Sequence, residues 1–65
     1  MRVLINRHPY ELSENASVSE AISAIDAQPP FAVAVNTQFV PKSQYTAKLL
    51  AAGDRIDIIF PVTGG

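Results

Sequence analysis

Gly53-Asp54-Arg55-Ile56-Asp57-Ile58-Ile59-Phe60-Pro61 is the stretch that decides the architecture. Ile56, Ile58 and Phe60 alternate with Arg55, Asp57 and Ile59, the period of a strand with one buried face. Gly53-Asp54 supplies a turn before it, and Pro61, which has no N–H to donate, ends it. A strand this apolar needs a place inside a sheet, and the preceding residues must build that sheet around it.

Lys42 to Ala52, just upstream, carries the weakest signal. Tyr45, Leu49 and Leu50 are its candidates for covering the core, from a single helical turn or an irregular loop. Before it, Phe31-Ala32-Val33-Ala34-Val35 is a continuous apolar run with Phe31, Val33 and Val35 on one face and the alanines on the other. Such a run suits the middle of a sheet. Asn36-Thr37 reads as a turn and Phe39-Val40 as a short return strand, which Pro41 confines to an edge or ends.

Ser17 and Glu20 have the spacing of a capping box. Val18, Ala21, Ile22 and Ile25 then recur at i, i+3, i+4 and i+7, predicting a helix with one buried stripe that Pro29-Pro30 stops. At the N-terminus, Val3-Leu4-Ile5 and Tyr10-Glu11-Leu12 read as two strands of a hairpin, joined through Asn6-Arg7-His8-Pro9. The helix must cross one sheet face to bury its stripe. The last strand, laid beside the first, becomes central. The expected class is α+β: a β-grasp (ubiquitin-like) fold, with a mixed sheet of roughly four to five strands and one main helix packed on one face.

The chain has 65 residues, 48% of them hydrophobic, a formal net charge of −1 and no cysteine. A chain of about 60 residues has a thin core and is one domain, here residues 1–65 with a flexible tail over 61–65. Charge this near neutral, without a basic run, argues against nucleic acid and membrane as partners. No stretch has the length of a membrane span or the form of a secretory signal, so a cytoplasmic, monomeric protein is expected. Without cysteine there is neither a disulfide nor a thiol nucleophile.

Gly64-Gly65 uses two of the three glycines in the chain. Without a Cβ, these residues can enter a slot that other side chains would block. The expectation is that Gly65 presents a free α-carboxylate at the tip of the tail.

Three features together resemble the ThiS sulfur-carrier proteins of thiamine biosynthesis. Val35-Asn36-Thr37-Gln38-Phe39-Val40-Pro41-Lys42 is similar to that family's apolar-Asn-x-x-apolar-Val-Pro-basic hairpin. Gly53-Asp54 leads into an apolar strand, and the di-glycine closes the chain. The resemblance covers the whole length. It implies that an adenylyltransferase similar to ThiF joins the Gly65 carboxylate to AMP at the expense of ATP. A persulfide on another protein then displaces AMP, leaving a C-terminal thiocarboxylate that donates sulfur to a thiazole synthase similar to ThiG. On this reading the protein is a recycled co-substrate rather than an enzyme. It binds no cofactor; the activating partner uses the ATP. Gly64, Thr63 and Val62 would lie in the partner's channel. Ile59, on the outward side of the last strand, would form an apolar docking patch with Phe39 or Val40.

Phe60-Pro61-Val62-Thr63-Gly64-Gly65 also looks like the tail of MoaD, the small subunit of molybdopterin synthase, although MoaD chains are usually longer. A MoaD-like carrier is therefore the alternative within the class. Outside it stand a ubiquitin-like protein modifier and an interaction module whose tail does no chemistry. His8 reads as a solvated turn residue, Glu20 as a cap, and Glu14 and Asp26 as solvated charges. No phosphate loop, metal-spaced cluster or catalytic triad occurs.

Overall fold

The computed structural model describes residues 1–62. In chain order it contains β1 (Arg2–Ile5), β2 (His8–Glu11), α1 (Val18–Ala24), β3 (Ala32–Val35), β4 (Gln38–Val40), a 3-10 turn over Lys42–Gln44, and β5 (Arg55–Ile59). The five strands form one sheet in the order β2-β1-β5-β3-β4. β5 runs parallel to β1 and antiparallel to β3. The expected mixed β-grasp sheet is present, with the last strand at its centre.

Each strand sends alternate residues to the helix side. Val3, Ile5, Val33, Val35, Val40, Ile56 and Ile58 are buried there and pack with Val18 and Ala21 of α1. The helix is shorter than its apolar repeat predicts. It ends at Ala24, and Ile22 and Ile25 are half-buried at the margin of the core. Its first turn matches the expectation: Ser17 is extended, and the Glu20 carboxylate accepts the Ser17 N–H at 3.2 Å.

The first hairpin turns more tightly than the expected Asn6-Arg7-His8-Pro9, whereas the second turns at Asn36-Thr37 as expected. Asn6 and Arg7 have φ of 49° and 70°, and Asn36 and Thr37 have 50° and 72°. Two consecutive positive φ values make a two-residue turn whose twist matches the flanking strands. His8 and Pro9 consequently belong to β2 rather than to the turn. Pro9, paired with Leu4, is tolerated because β2 is an edge strand.

Lys42 to Ala52 forms one 3-10 turn followed by irregular chain. Its backbone serves the helix: the carbonyls of Lys48 and Tyr45 accept the Val18 and Ser19 N–H groups, each at 2.9 Å, and Leu50 N–H donates to Ala16 at 2.8 Å. The first two bonds satisfy amides that the first helical turn leaves free. All three also settle which side chain faces inward. Leu50 is buried at 5% exposure, whereas Leu49, expected to help cover the core, is 55% exposed.

Candidate functional site: the outer sheet face and the root of the tail

The face of the sheet opposite α1 has no layer over it among the described residues. Strand parity assigns its side chains. Ile58 pairs with Val33 on the core side, so Ile59, opposite Ala32, projects outward. Ala34 lies between Asp57 on β5 and Phe39 on β4. Phe39 is 70% exposed and Ile59 56%. The half-buried methyls of Ala32 and Ala34 separate them, giving a low apolar strip across β4, β3 and β5.

Val40, named with Phe39 for this patch, is not part of it. It pairs with Val33 and is buried in the core, because successive residues of a strand face opposite ways. Ile59 and Phe39 do share the outer face, two strands apart.

β5 ends at Ile59, so Phe60 lies one residue beyond the ladder instead of continuing the buried face of the strand. It is 46% exposed. Its ring meets Phe31 edge-on with centroids 6.1 Å apart, and Phe31 stacks on Tyr45 at 6.1 Å. This aromatic row fixes the root of the tail against the start of β3. Pro61 is exposed and Val62 is 95% exposed. Thr63, Gly64 and Gly65, the remainder of the expected channel segment and reactive end, lie outside the described residues.

Ile59 forms a ridge between two shallow hollows. The first, of about 310 Å³, is lined by Pro30, Phe31, Ala32, Ile59 and Pro61, and is apolar throughout. The second, of about 360 Å³, is lined by Asn6, Arg7, Arg55, Asp57 and Ile59. There Arg55 Nε lies 3.5 Å from Asp57 Oδ2. Arg2 is engaged with Glu11 at 3.1 Å, whereas Arg7 has no ion-pair partner among the described residues.

Two turn asparagines hold β5 in place. Asn6 donates its backbone N–H to the Ile56 carbonyl at 2.9 Å, and its Oδ1 accepts the Ile58 N–H at 2.8 Å. On the other side, Asn36 donates its backbone N–H to the Arg55 carbonyl at 2.8 Å. Its Oδ1 accepts the Arg55 N–H at 2.9 Å, and its Nδ2 donates to Asp54 Oδ1 at 3.0 Å. Each side chain extends a strand ladder by one rung past the point where the main chain turns away. Sequence reasoning marked Asn6 as a turn residue and Asn36 as a turn residue and the Asn of the ThiS-like hairpin, but assigned neither a bond to β5. The available signal was their shared position, directly after an apolar strand and one residue before the return.

The described residues contain no cluster of three metal-ligating side chains and no helix long and apolar enough to cross a membrane. The outer face thus combines an apolar strip, a mixed-charge hollow and, at its end, the exposed Pro61 and Val62.

The comparisons agree with this geometry. The chain is similar to the crystal structure of a thiamine biosynthesis protein (ThiS) from Geobacter metallireducens, with a TM-score of 0.82, 22% identity and 100% of both chains covered. It is also similar to the NMR solution structure of a thiamine biosynthesis protein from the same organism, with a TM-score of 0.79 and 22% identity over 100% of this chain and 88% of the other. At that identity these likenesses establish the β-grasp fold. No curated protein matches the chain. The ThiS family model, however, matches residues 3–65, through the di-glycine itself, and the chain belongs to the ThiS family.

Proposed function

We propose that this protein carries sulfur for thiamine biosynthesis on the carboxyl group of Gly65. The observation that carries the reading is the family match running through Gly65 on a chain whose central strand leads, within two residues, to the exposed Pro61 and Val62. The absence of cysteine fits as well, since no side-chain thiol can store the sulfur.

A carboxylate is a poor electrophile, because its charge is delocalised and its oxygen is a bad leaving group. An activating enzyme similar to ThiF transfers AMP from ATP to the Gly65 carboxylate and releases pyrophosphate. The terminal sulfur of a protein persulfide attacks the acyl carbon, and AMP departs with the bonding pair. Reductive cleavage of the remaining S–S bond by a thiol leaves the thiocarboxylate. This nucleophile then bonds through its sulfur to an electrophilic carbon held by a thiazole synthase similar to ThiG; an oxygen nucleophile such as water adds to the acyl carbon, the acyl C–S bond breaks, the sulfur stays on the acceptor and the carboxylate is regenerated. The catalytic groups belong to the partners; the carrier supplies the acyl end and the surface that delivers it.

Gly64 and Gly65 keep the tip narrow, and Val62 and Thr63 complete the segment inside the partner's channel. Ordering that segment costs about 1–2 kcal/mol per residue in backbone entropy. Docking through Ile59 and Phe39 offsets this cost.

Incubating the protein with its cognate activating enzyme, ATP and a sulfur source tests the reading by intact mass. Exchange of one oxygen for sulfur is expected, and deletion of Gly65 abolishes it. No mass change with the active enzyme rejects sulfur loading, and conjugates to other proteins assign the chain to the modifiers. Turnover with a molybdopterin-synthase large subunit, but not with a thiazole synthase, transfers the carrier to the MoaD-like pathway.

A further inference from the structure

We propose that the protein partner covering Ile59 presents a carboxylate to Arg7, and that this contact helps select the partner. The inference rests on the carrier reading for the existence of such a partner, and on the two hollows beside Ile59 for its chemistry.

The positive charge of the chain is unevenly placed. Residues 8–41 contain no lysine or arginine, but include Glu11, Glu14, Glu20 and Asp26. The lysines, Lys42 and Lys48, belong to the irregular segment that caps α1. All the arginines, Arg2, Arg7 and Arg55, are exposed residues of the β1–β2 hairpin and β5. Arg2 and Arg55 have carboxylates of this chain beside them, while Arg7 has none among the described residues. The hollow beside Ile59 therefore holds two guanidinium groups and one carboxylate, an excess of one positive charge.

Arg7 is also held in place. It is the second residue of a tight turn at φ 70°, directly after Asn6. Asn6 is bonded to β5 through both its backbone and its side chain. This clamp sets the turn beside Ile59, close to the root of the tail. An acceptor on a partner meets a backbone that is already ordered, which lowers the entropic cost of the contact. Ile59 lines both hollows, so one partner surface can place an apolar group against Pro30, Phe31 and Pro61 and an acidic side chain against Arg7. A small inorganic anion would use the charge but leave the apolar strip uncovered. A protein surface with an apolar centre and an acidic margin uses both.

The test measures binding of the full-length carrier to its cognate adenylating enzyme at two salt concentrations. The variants are Arg7→Glu, Arg7→Gln, Ile59→Asp and Lys48→Glu. We expect Arg7→Glu to weaken binding at least about ten-fold. Arg7→Gln should weaken it less and flatten its salt dependence. Lys48→Glu, which makes the same net-charge change on the helix-cap segment, should alter binding less than about two-fold. Circular dichroism confirms that each variant is folded, and Arg7→Gln serves alone if Arg7→Glu is not.

Equal weakening by Arg7→Glu and Lys48→Glu reduces the effect to net charge and overturns the proposal. Loss of binding in Ile59→Asp but not in either Arg7 variant also overturns it, while leaving the apolar docking surface standing. Sulfur loading of the native protein, followed separately by mass, reports on the carrier reading independently of these affinities.

Discussion

At Asn36 a backbone demand and a side-chain demand coincide. The turn requires a positive φ, which Asn tolerates better than most residues. The amide then reaches β5, accepting from Arg55 and donating to Asp54, whose other oxygen accepts the Ala51 N–H at 2.8 Å. Replacing Asn36 with Ala removes an acceptor and a donor and strains the turn. A loss of about 1–3 kcal/mol is expected, read as a lower urea midpoint. Asn36→Gly relieves the strain without restoring the bonds, so it should recover only part of that loss. Gly53 is a simpler case. Its φ is +86° and a Cβ there would meet nothing within 4 Å, so Gly53→Ala should cost about 1 kcal/mol through backbone conformation alone. The turn character of both positions was legible from residue type. The bonds of Asn36 across 18 and 19 residues of chain were not, because nothing local records a contact so distant in sequence.

At the scale of elements, α1 depends on two supports. One is local: the Glu20 carboxylate on the Ser17 N–H. Glu20→Ala should lower stability by about 0.5–1 kcal/mol, measured by thermal unfolding followed at 222 nm. The other comes from the chain around Tyr45 to Leu50, whose carbonyls take the helical amides. This division explains what could be read in advance. The capping box, the alternation in β3 and β5, and the proline stops are local patterns, and they placed the main elements. Lys42 to Ala52 resisted reading because its order comes from hydrogen bonds to another element, which leave no periodicity in its own sequence. That Leu50 and not Leu49 is the buried one of the two candidate leucines has the same cause. The Ser17–Leu49 bridge sets which leucine faces inward.

At the scale of the whole molecule, the sheet order separates stability from delivery. The core residues of β5 alternate with its outward ones, so substitutions on the two faces should have different consequences. Ile58→Ala, at a position only 3% exposed, should cost about 2–4 kcal/mol and lower the fraction of folded carrier. Ile59→Asp, one residue on and 56% exposed, should leave the unfolding midpoint nearly unchanged while weakening the complex with the activating enzyme. Unchanged binding in Ile59→Asp would remove the outer face from the docking account. The apolar strip was partly legible, since strand parity put Ile59 outside, but a one-residue ambiguity in β4 left Phe39 and Val40 unresolved. Only the pairing of Val40 with Val33 decides between them.

The position of β5 also bears on how the molecule is made. The strand at the middle of the sheet is the last to be synthesised, and its neighbours, β1 and β3, make no ladder with each other. Without β5 in place, no strand ladder joins the β1–β2 hairpin to the β3–β4 hairpin. Inserting β5 brings together residues as far apart as Asn6 and Ile58, and pairing over such a sequence distance slows folding. The same event that completes the core fixes Phe60 and Pro61 at the end of the strand, so on the proposed carrier reading an unfinished chain has no mounted terminus to offer a partner.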